Sequence, residues 1–281
     1  MIVTSLGYGY ISKFFFREIA YHGARCYGIS DNTKYNKKSD LENILILPRS
    51  MTIECIKKST HLVITAPPEK NKCPILSKYE KTIKDSNIRA IIYVSSTGVY
   101  GNHKGKWVNE NSVIKGNNNL ANKNRIKAEK SWAAFCKKNS LTLNILRLGG
   151  IYGPGRPNLS KDIFKNIIIK KDHFFSRIHV LDISRIIASI LFDSKESYCW
   201  NLVDDLPATR KSFMERIIKL KKVKNYSFRD YEKFKKNISQ SKKKFWEANK
   251  KVSNKKIKKK LRYTFLFPTF FTGLKYIIKN L

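Results

Sequence analysis

The chain has 281 residues, 42% hydrophobic and 12% aromatic, which is enough to bury a core as one domain, or as one domain with a smaller lobe, and argues against disorder over most of its length. Lys and Arg number 57 against 21 Asp and Glu, a formal charge of +36; because the lysines run through every segment, they favour a solvated surface over a dedicated nucleic-acid reader. Five cysteines (Cys26, Cys55, Cys73, Cys136, Cys199) show no Cys-x-x-Cys or Cys/His spacing, so neither a disulfide framework nor a zinc site is suggested, and a reducing cytoplasm fits.

Short apolar runs rich in β-branched residues alternate with segments of helical period, the pattern of a parallel sheet covered by helices. Strands are expected over 2–6, 25–30, 44–47, 61–66, 90–95 and 143–148. Helices are expected over 11–22, stopped by Gly23, from Pro74 to about 85, and over 120–138. Beyond Pro154 the alternation fades, and 162–170, 182–192 and 209–221 read as helices of a smaller lobe. The fold expected is α/β, a Rossmann-type doubly wound parallel sheet over 1–155 with a small C-terminal substrate lobe over 156–281, some of whose segments return to the sheet.

No signal peptide is expected, since the opening residues lack a charged segment before an apolar core. No membrane helix is expected either: the apolar run over 263–278 is interrupted by Pro268 and Lys275 and falls short of a span of about 20 residues. The densest basic stretch, 219–262, carries Lys242-Lys243-Lys244 with Tyr226, Phe228, Tyr231, Phe234, Phe245 and Trp246 among the charges. Such a stretch could grip single-stranded nucleic acid, but aromatics at these spacings more often pack a helix onto its domain.

Directly after the first expected strand comes Gly7-Tyr8-Gly9-Tyr10-Ile11-Ser12, where a dinucleotide pyrophosphate would meet backbone N–H groups at a helix start. Gly7 permits the tight turn, Gly9 lets a phosphate approach, and Ser12 replaces the third glycine of the fingerprint. At the end of the second strand, Ser30 stands where a carboxylate would bond the ribose and exclude NADP. Asp31 comes one residue later, and Asn32, Thr33 and Lys34 could serve a 2′-phosphate. The cofactor expected is NAD or NADP, with a slight lean to NADP.

Further motifs carry a resemblance. Val94-Ser95-Ser96-Thr97-Gly98-Val99-Tyr100-Gly101, Leu146-Arg147-Leu148-Gly149-Gly150-Ile151-Tyr152-Gly153-Pro154-Gly155 and Arg177-Ile178-His179-Val180-Leu181-Asp182 resemble, in order, segments of the extended short-chain dehydrogenases of the NAD-dependent epimerase/dehydratase family. Trp200-Asn201-Leu202 and Val252-Ser253-Asn254 through Leu261 extend the likeness, and the whole looks most like the atypical branch of that group. The resemblance implies cofactor contacts at Gly7, Gly9, Tyr10 and Ile11, at Ser30 and Asp31, at Thr65-Ala66-Pro67 where the fourth expected strand ends, and at Ser95. It implies a small-molecule substrate of the nucleotide-sugar kind, a catalytic hydroxyl at Ser96, and allows a homodimer.

The family's Tyr-x-x-x-Lys pair is missing. Aligning on Glu129 puts Arg125 at the lysine and Ala121 at the tyrosine. Arginine can donate to ribose hydroxyls but cannot exchange protons near neutral pH. Tyr100, Tyr152 and His179 are the other groups weighed as proton carriers, each read first as structural. Phe175 stands where classical epimerases place a phosphate-binding arginine, which leaves Arg177 for any such substrate role; Gly150 replaces a substrate-contacting asparagine. Two activities follow: hydride chemistry on an unassigned substrate, or a catalytically silent dinucleotide-binding sensor or scaffold.

Overall fold

A computed structural model describes residues 1–31, 41–69, 73–116, 119–156, 161–193 and 195–280, with residues 161, 162, 237, 241, 242, 244 and 245 described by backbone alone. In chain order the elements begin β1 (Ile2–Leu6), α1 (Tyr10–Tyr21), β2 (Arg25–Ile29), β3 (Ile44–Leu47), α2 (Thr52–Lys58), β4 (His61–Ile64), α3 (Pro74–Lys84), β5 (Ala90–Ser96), β6 (Trp107–Val108), α4 (Leu120–Lys138) and β7 (Thr142–Leu148). They continue β8 (Gly150–Tyr152), β9 (Ile167–Ile169), β10 (Phe174–Phe175), β11 (Arg177–His179), α5 (Val180–Asp193), β12 (Tyr198–Leu202), β13 (Ala208–Thr209) and α6 (Arg210–Lys221). The remainder is β14 (Phe228–Asp230), α7 (Tyr231–Phe234), α8 (Gln240–Glu247), β15 (Lys251–Val252), α9 (Lys255–Lys260) and α10 (Phe270–Lys279).

Seven strands form one sheet in the order β12-β7-β5-β4-β1-β2-β3. The pairings β4–β5, β1–β4, β1–β2 and β2–β3 are all parallel. The order reverses direction across β1, so the carboxyl end of that strand opens onto the crevice where α/β sheets take ligands. β1 is buried along almost its whole length although Thr4 and Ser5 are polar. Their hydroxyls are satisfied internally: Thr4 Oγ1 pairs with Ser59 Oγ at 2.6 Å and Ser5 Oγ with Ser12 Oγ at 2.9 Å.

The chain divides into two compact units, one made of Met1–Ser96, Lys123–Arg147 and Ile183–Trp200, the other of Thr97–Asn122, Leu148–Asp182 and Asn201–Leu281. The first unit's core includes Leu6, Ile56, Leu62, Ile64, Ile91, Tyr93, Trp132 and Phe135. The second is built on Tyr152, Phe164, Ile167, Met214, Ile217, Phe270, Leu274 and Ile277.

One expected helix is absent. Residues 161–164 make a single 3-10 turn, and Ile167–Ile169 forms a strand parallel to β14. Three consecutive isoleucines explain the difference, because two heavy atoms on each Cβ crowd a helix and suit a pleated edge. In the basic stretch, Trp246 and Tyr231 are buried at 3% and 5% exposure, while Tyr226 is exposed, so most of its described aromatic area serves packing. No described helix is long and apolar enough to cross a membrane.

Candidate functional site

The turn after β1 is shaped by two glycines with different jobs. Gly7 has φ +102°, and a Cβ there would meet the Ala66 nitrogen at 2.7 Å and Thr65 Oγ1 at 3.0 Å. The loop after β4 is drawn against it, since Thr65 and Ala66 N–H groups donate to the Leu6 carbonyl at 3.1 and 3.0 Å and the Thr65 hydroxyl donates to the Gly7 carbonyl. Gly9, at φ −140°, is the residue before α1; a Cβ on it would have nothing within 4 Å, and it brings no side-chain cap. The first turn of α1 holds no carboxylate, so its positive dipole end stays uncompensated there. Tyr10 and Ile11 follow, half-buried.

Ser12, at the third-glycine position, is fully buried and its hydroxyl is held by Ser5. It therefore fits the helix-to-strand contact without loss of a hydrogen bond. The Tyr8 ring lies over Gly28 of β2, where a Cβ would come within 2.5 Å of ring carbon Cδ2.

At the far end of β2, the Ser30 N–H donates to the Leu47 carbonyl at 2.9 Å. The Asp31 carboxylate accepts from the Arg49 backbone N–H at 2.9 Å and pairs with its guanidinium at 3.0 Å, both side chains exposed. Asn32, Thr33 and Lys34 lie outside the described residues. Pro67 is exposed beside half-buried Thr65 and Ala66.

At the end of β5, Ser95 is buried and donates to Glu129 Oε1 at 2.5 Å. Glu129 also takes a bidentate contact from Arg147, at 3.2 and 2.7 Å, which makes a buried ion pair between α4 and β7. Ser95 is thereby tied to the frame, while Ser96, the next residue, is half-buried. On α4, Ala121 is exposed and Arg125, one turn on, half-buried. The Arg125 cation reaches the Tyr93 phenol electrostatically, but burial outweighs it and holds the phenol above the ordinary tyrosine range. A proton carrier needs the opposite shift.

The other phenols are structural. Tyr100 is fully buried and donates to Asn201 Oδ1 at 2.8 Å. Tyr152 is buried, its hydroxyl 3.4 Å from the Thr269 carbonyl and its ring over Gly273, and burial again pushes the phenol up. His179 is fully buried; its Nδ1 accepts from the Leu181 N–H at 3.2 Å, its ring lies 4.0 Å from that of Phe267, and burial pushes it down to about 4. It is neutral at physiological pH.

Arg177, expected on substrate, is 8% exposed. Its guanidinium donates to the carbonyls of Phe175 and Ala208, both at 3.1 Å, and lies 4.3 Å from the centre of the Phe213 ring. Those contacts commit it to the interior of the second unit. Sequence reasoning missed two buried acids there. Asp182 accepts from the Tyr263 hydroxyl and from the Leu266 and Phe267 N–H groups, which pins the segment before α10. Asp204 accepts from Leu206 N–H, leaves Oδ2 without a partner among the described residues, and is pushed up to about 8 by burial. Nothing in the Asp204-Asp205 sequence marks one of the pair as interior.

A parallel sheet in this order, with a glycine turn between its central strand and the first helix, is a Rossmann-type fold. The chain resembles, at 28% identity and TM-score 0.91, a functionally unknown conserved protein from Silicibacter pomeroyi, covering 99% of this chain and 98% of that one. It also resembles a human epimerase family protein solved with NADPH, at 16% identity and TM-score 0.75, over 100% and 99% of the two chains. A dTDP-glucose 4,6-dehydratase from Bacillus anthracis, solved in complex with NAD, matches at 17% identity and TM-score 0.77 over 99% and 95%. These last two likenesses show a shared fold with proteins of the epimerase/dehydratase kind. No protein-family model matches the sequence, and no curated protein matches it.

Proposed function

We propose that the chain is an NAD(P)-binding protein of the atypical extended short-chain dehydrogenase kind, acting on a small molecule of the nucleotide-sugar class. The observation that carries the reading is Gly9: its backbone is ordinary and its Cβ position is open, so the protein itself gives no reason for glycine there. A pyrophosphate brought against the start of α1 supplies one. Two neighbours of the same fold were solved with NADPH and NAD, which supports the same ligand here.

In this reading Gly7, Gly9, Tyr10 and Ile11 carry the pyrophosphate, Asp31 meets the adenosine ribose, and Thr65, Ala66, Pro67 and Ser95 line the path of the dinucleotide. The bound nicotinamide would supply or accept a hydride. Ser96 would hold the substrate oxygen and Arg125 would donate to ribose hydroxyls. The protein would act in the cytoplasm, as a monomer or a homodimer, without nucleic acid.

A second reading, a catalytically silent dinucleotide sensor or scaffold, draws on Ala121 in place of the family tyrosine and on the phenols of Tyr93 and Tyr152, which burial raises. Titration of the full chain with oxidised and reduced NAD and NADP, read by heat and by melting temperature, tests the common part; no response to any of the four removes both readings. Turnover of a carbonyl or sugar-nucleotide panel by the unmodified protein separates them, since any turnover defeats the silent one.

A further inference from the structure

α4 has two faces of different make-up. Asn124, Ala128, Glu129, Trp132, Phe135 and Cys136 are buried and fix the helix in the first unit. On the outward side Lys123, Lys127, Lys130, Lys137 and Lys138 are exposed. At 3.6 residues per turn these lysines fall within an arc of about 100°, and at 1.5 Å per residue the row from Lys123 to Lys137 runs for about 21 Å. The spacing is regular: positions 123, 127, 130, 134 and 137 alternate steps of four and three, with Ala134 in the one place that is not a lysine.

Such a row works against the helix that carries it. Lys123 and Lys127 are i,i+4 neighbours, and Lys127 and Lys130 are i,i+3 neighbours, so like charges face each other along the surface. The first turn holds no carboxylate to offset Lys123 near the positive end of the dipole. The one acid in the α4 sequence, Glu129, is turned inward to Arg147 and Ser95. Other helices of this lysine-rich chain are built differently: Lys58 of α2 pairs with Glu54, Lys211 of α6 with Glu215 at 3.7 Å, and Lys235 with Glu232 of α7 at 2.9 Å. Abundant lysine alone therefore does not explain an outward face that carries no acid of its own over about four turns.

We infer that this face of α4 is a docking surface for an acidic helix of a partner protein, one with Glu or Asp at the same alternating spacing. Side chains three and four apart form the ridges by which helices pack, so a partner helix of opposite charge would set a carboxylate against each lysine in turn. Ser131, Ala133 and Ala134, small and exposed beside the row, leave room for its backbone to approach. A second copy of the chain would bring lysine against lysine. A lipid surface is a poorer match, because between Lys123 and Lys138 no large apolar side chain is exposed to enter it. Nucleic acid is a poorer match too, since the row contains neither an aromatic ring for stacking nor an arginine for two-pronged phosphate contacts. Docking here is independent of the turn at Gly9 and of any dinucleotide.

The test is fluorescence anisotropy of the full chain, at physiological ionic strength, with two labelled alanine-rich peptides of equal composition. One carries its glutamates at alternating four- and three-residue spacing, the other carries the same number in an unbroken run. Saturable one-to-one binding of the spaced peptide is expected, about fivefold tighter than that of the run. Lys127→Gln with Lys130→Gln should weaken it about tenfold, as the loss of two exposed ion pairs allows. Lys219→Gln with Lys221→Gln, which removes two exposed lysines from α6, should leave it unchanged. The α4 variant should melt no lower than the parent, since it relieves like-charge neighbours; a lower melting temperature would show that these lysines serve the fold and would overturn the docking surface. Non-saturable binding, equal affinity for the two peptides, or equal losses in the α4 and α6 variants would reduce the effect to net charge and overturn it as well. A single-stranded DNA oligonucleotide or phosphatidylserine vesicles bound more tightly than the spaced peptide, with the same dependence on Lys127 and Lys130, would overturn the acidic helix as the occupant.

Discussion

Gly7 and Gly9 stand two residues apart and should respond oppositely to substitution. At Gly7, φ +102° and a Cβ contact of 2.7 Å with backbone nitrogen leave no relaxed place for a side chain. Backbone strain of this kind costs about 1–3 kcal/mol, and in a chain of this size 1 kcal/mol moves a melting temperature by roughly 2–4 °C. Gly7→Ala should therefore lower the melting temperature by about 2–12 °C. At Gly9 the backbone is extended and the Cβ position open, so Gly9→Val should change folding stability by no more than about 0.5 kcal/mol. The same valine would fill the approach of a phosphate to the start of α1, with at least about a tenfold loss in dinucleotide affinity, or about 1.4 kcal/mol. Thermal melts and NADPH fluorescence titrations of the two variants decide the matter. Wild-type dinucleotide affinity in Gly9→Val, or equal destabilisation by both changes, would refute the assignment of Gly9 to a ligand.

Glu129→Gln should cost about 3–5 kcal/mol in urea unfolding, because it leaves the Arg147 guanidinium buried without its counter-charge. Asp204 should make stability fall as pH rises: an unfolded carboxyl ionises near pH 4, whereas the folded one keeps its proton to about 8, so the loss develops between those values. His173 and His179, both held near 4, impose the opposite slope between their ordinary pKa and that value. Urea melts across this pH range should show Asp204→Asn lacking the decline towards pH 8 and rising more steeply on the acid side; an unchanged profile would count against a proton held on Asp204. Arg49→Gln should weaken NADPH binding more than NADH binding, measured by paired titrations, since a 2′-phosphate would draw on the guanidinium that now pairs with Asp31.

The sheet was legible because its strands are short β-branched runs at regular spacing, and the glycine turn because it follows the first of them at once. Residues 162–170 were misread as helical: charged and apolar residues there have a helical spacing, and only the Ile167–Ile169 triplet hints at the pairing with β14. Side-chain burial was harder still. Lys250 and Lys251 look alike in sequence, yet Lys250 is buried beside His173 while Lys251 lies over the Phe174 ring. Arg177 was assigned to substrate by its motif, and only the contacts with Phe213 and the Ala208 carbonyl reveal where its charge is spent. Such distinctions depend on partners far away in the chain, which local pattern does not carry.

The interleaved make-up of the two units bears on how the protein can be cut and made. Residues 183–200 complete the first unit, where Trp200 Nε1 donates to Asn144 at 2.7 Å, and Phe270, Leu274 and Ile277 complete the core of the second. A fragment ending at residue 155 would leave Asn144 without that indole, and one starting at 156 would lack Tyr152, whose ring lies over Gly273 of α10. During synthesis, neither half can close its interior until well over half of the polypeptide has emerged, so the nascent chain must be kept from aggregating through most of its translation.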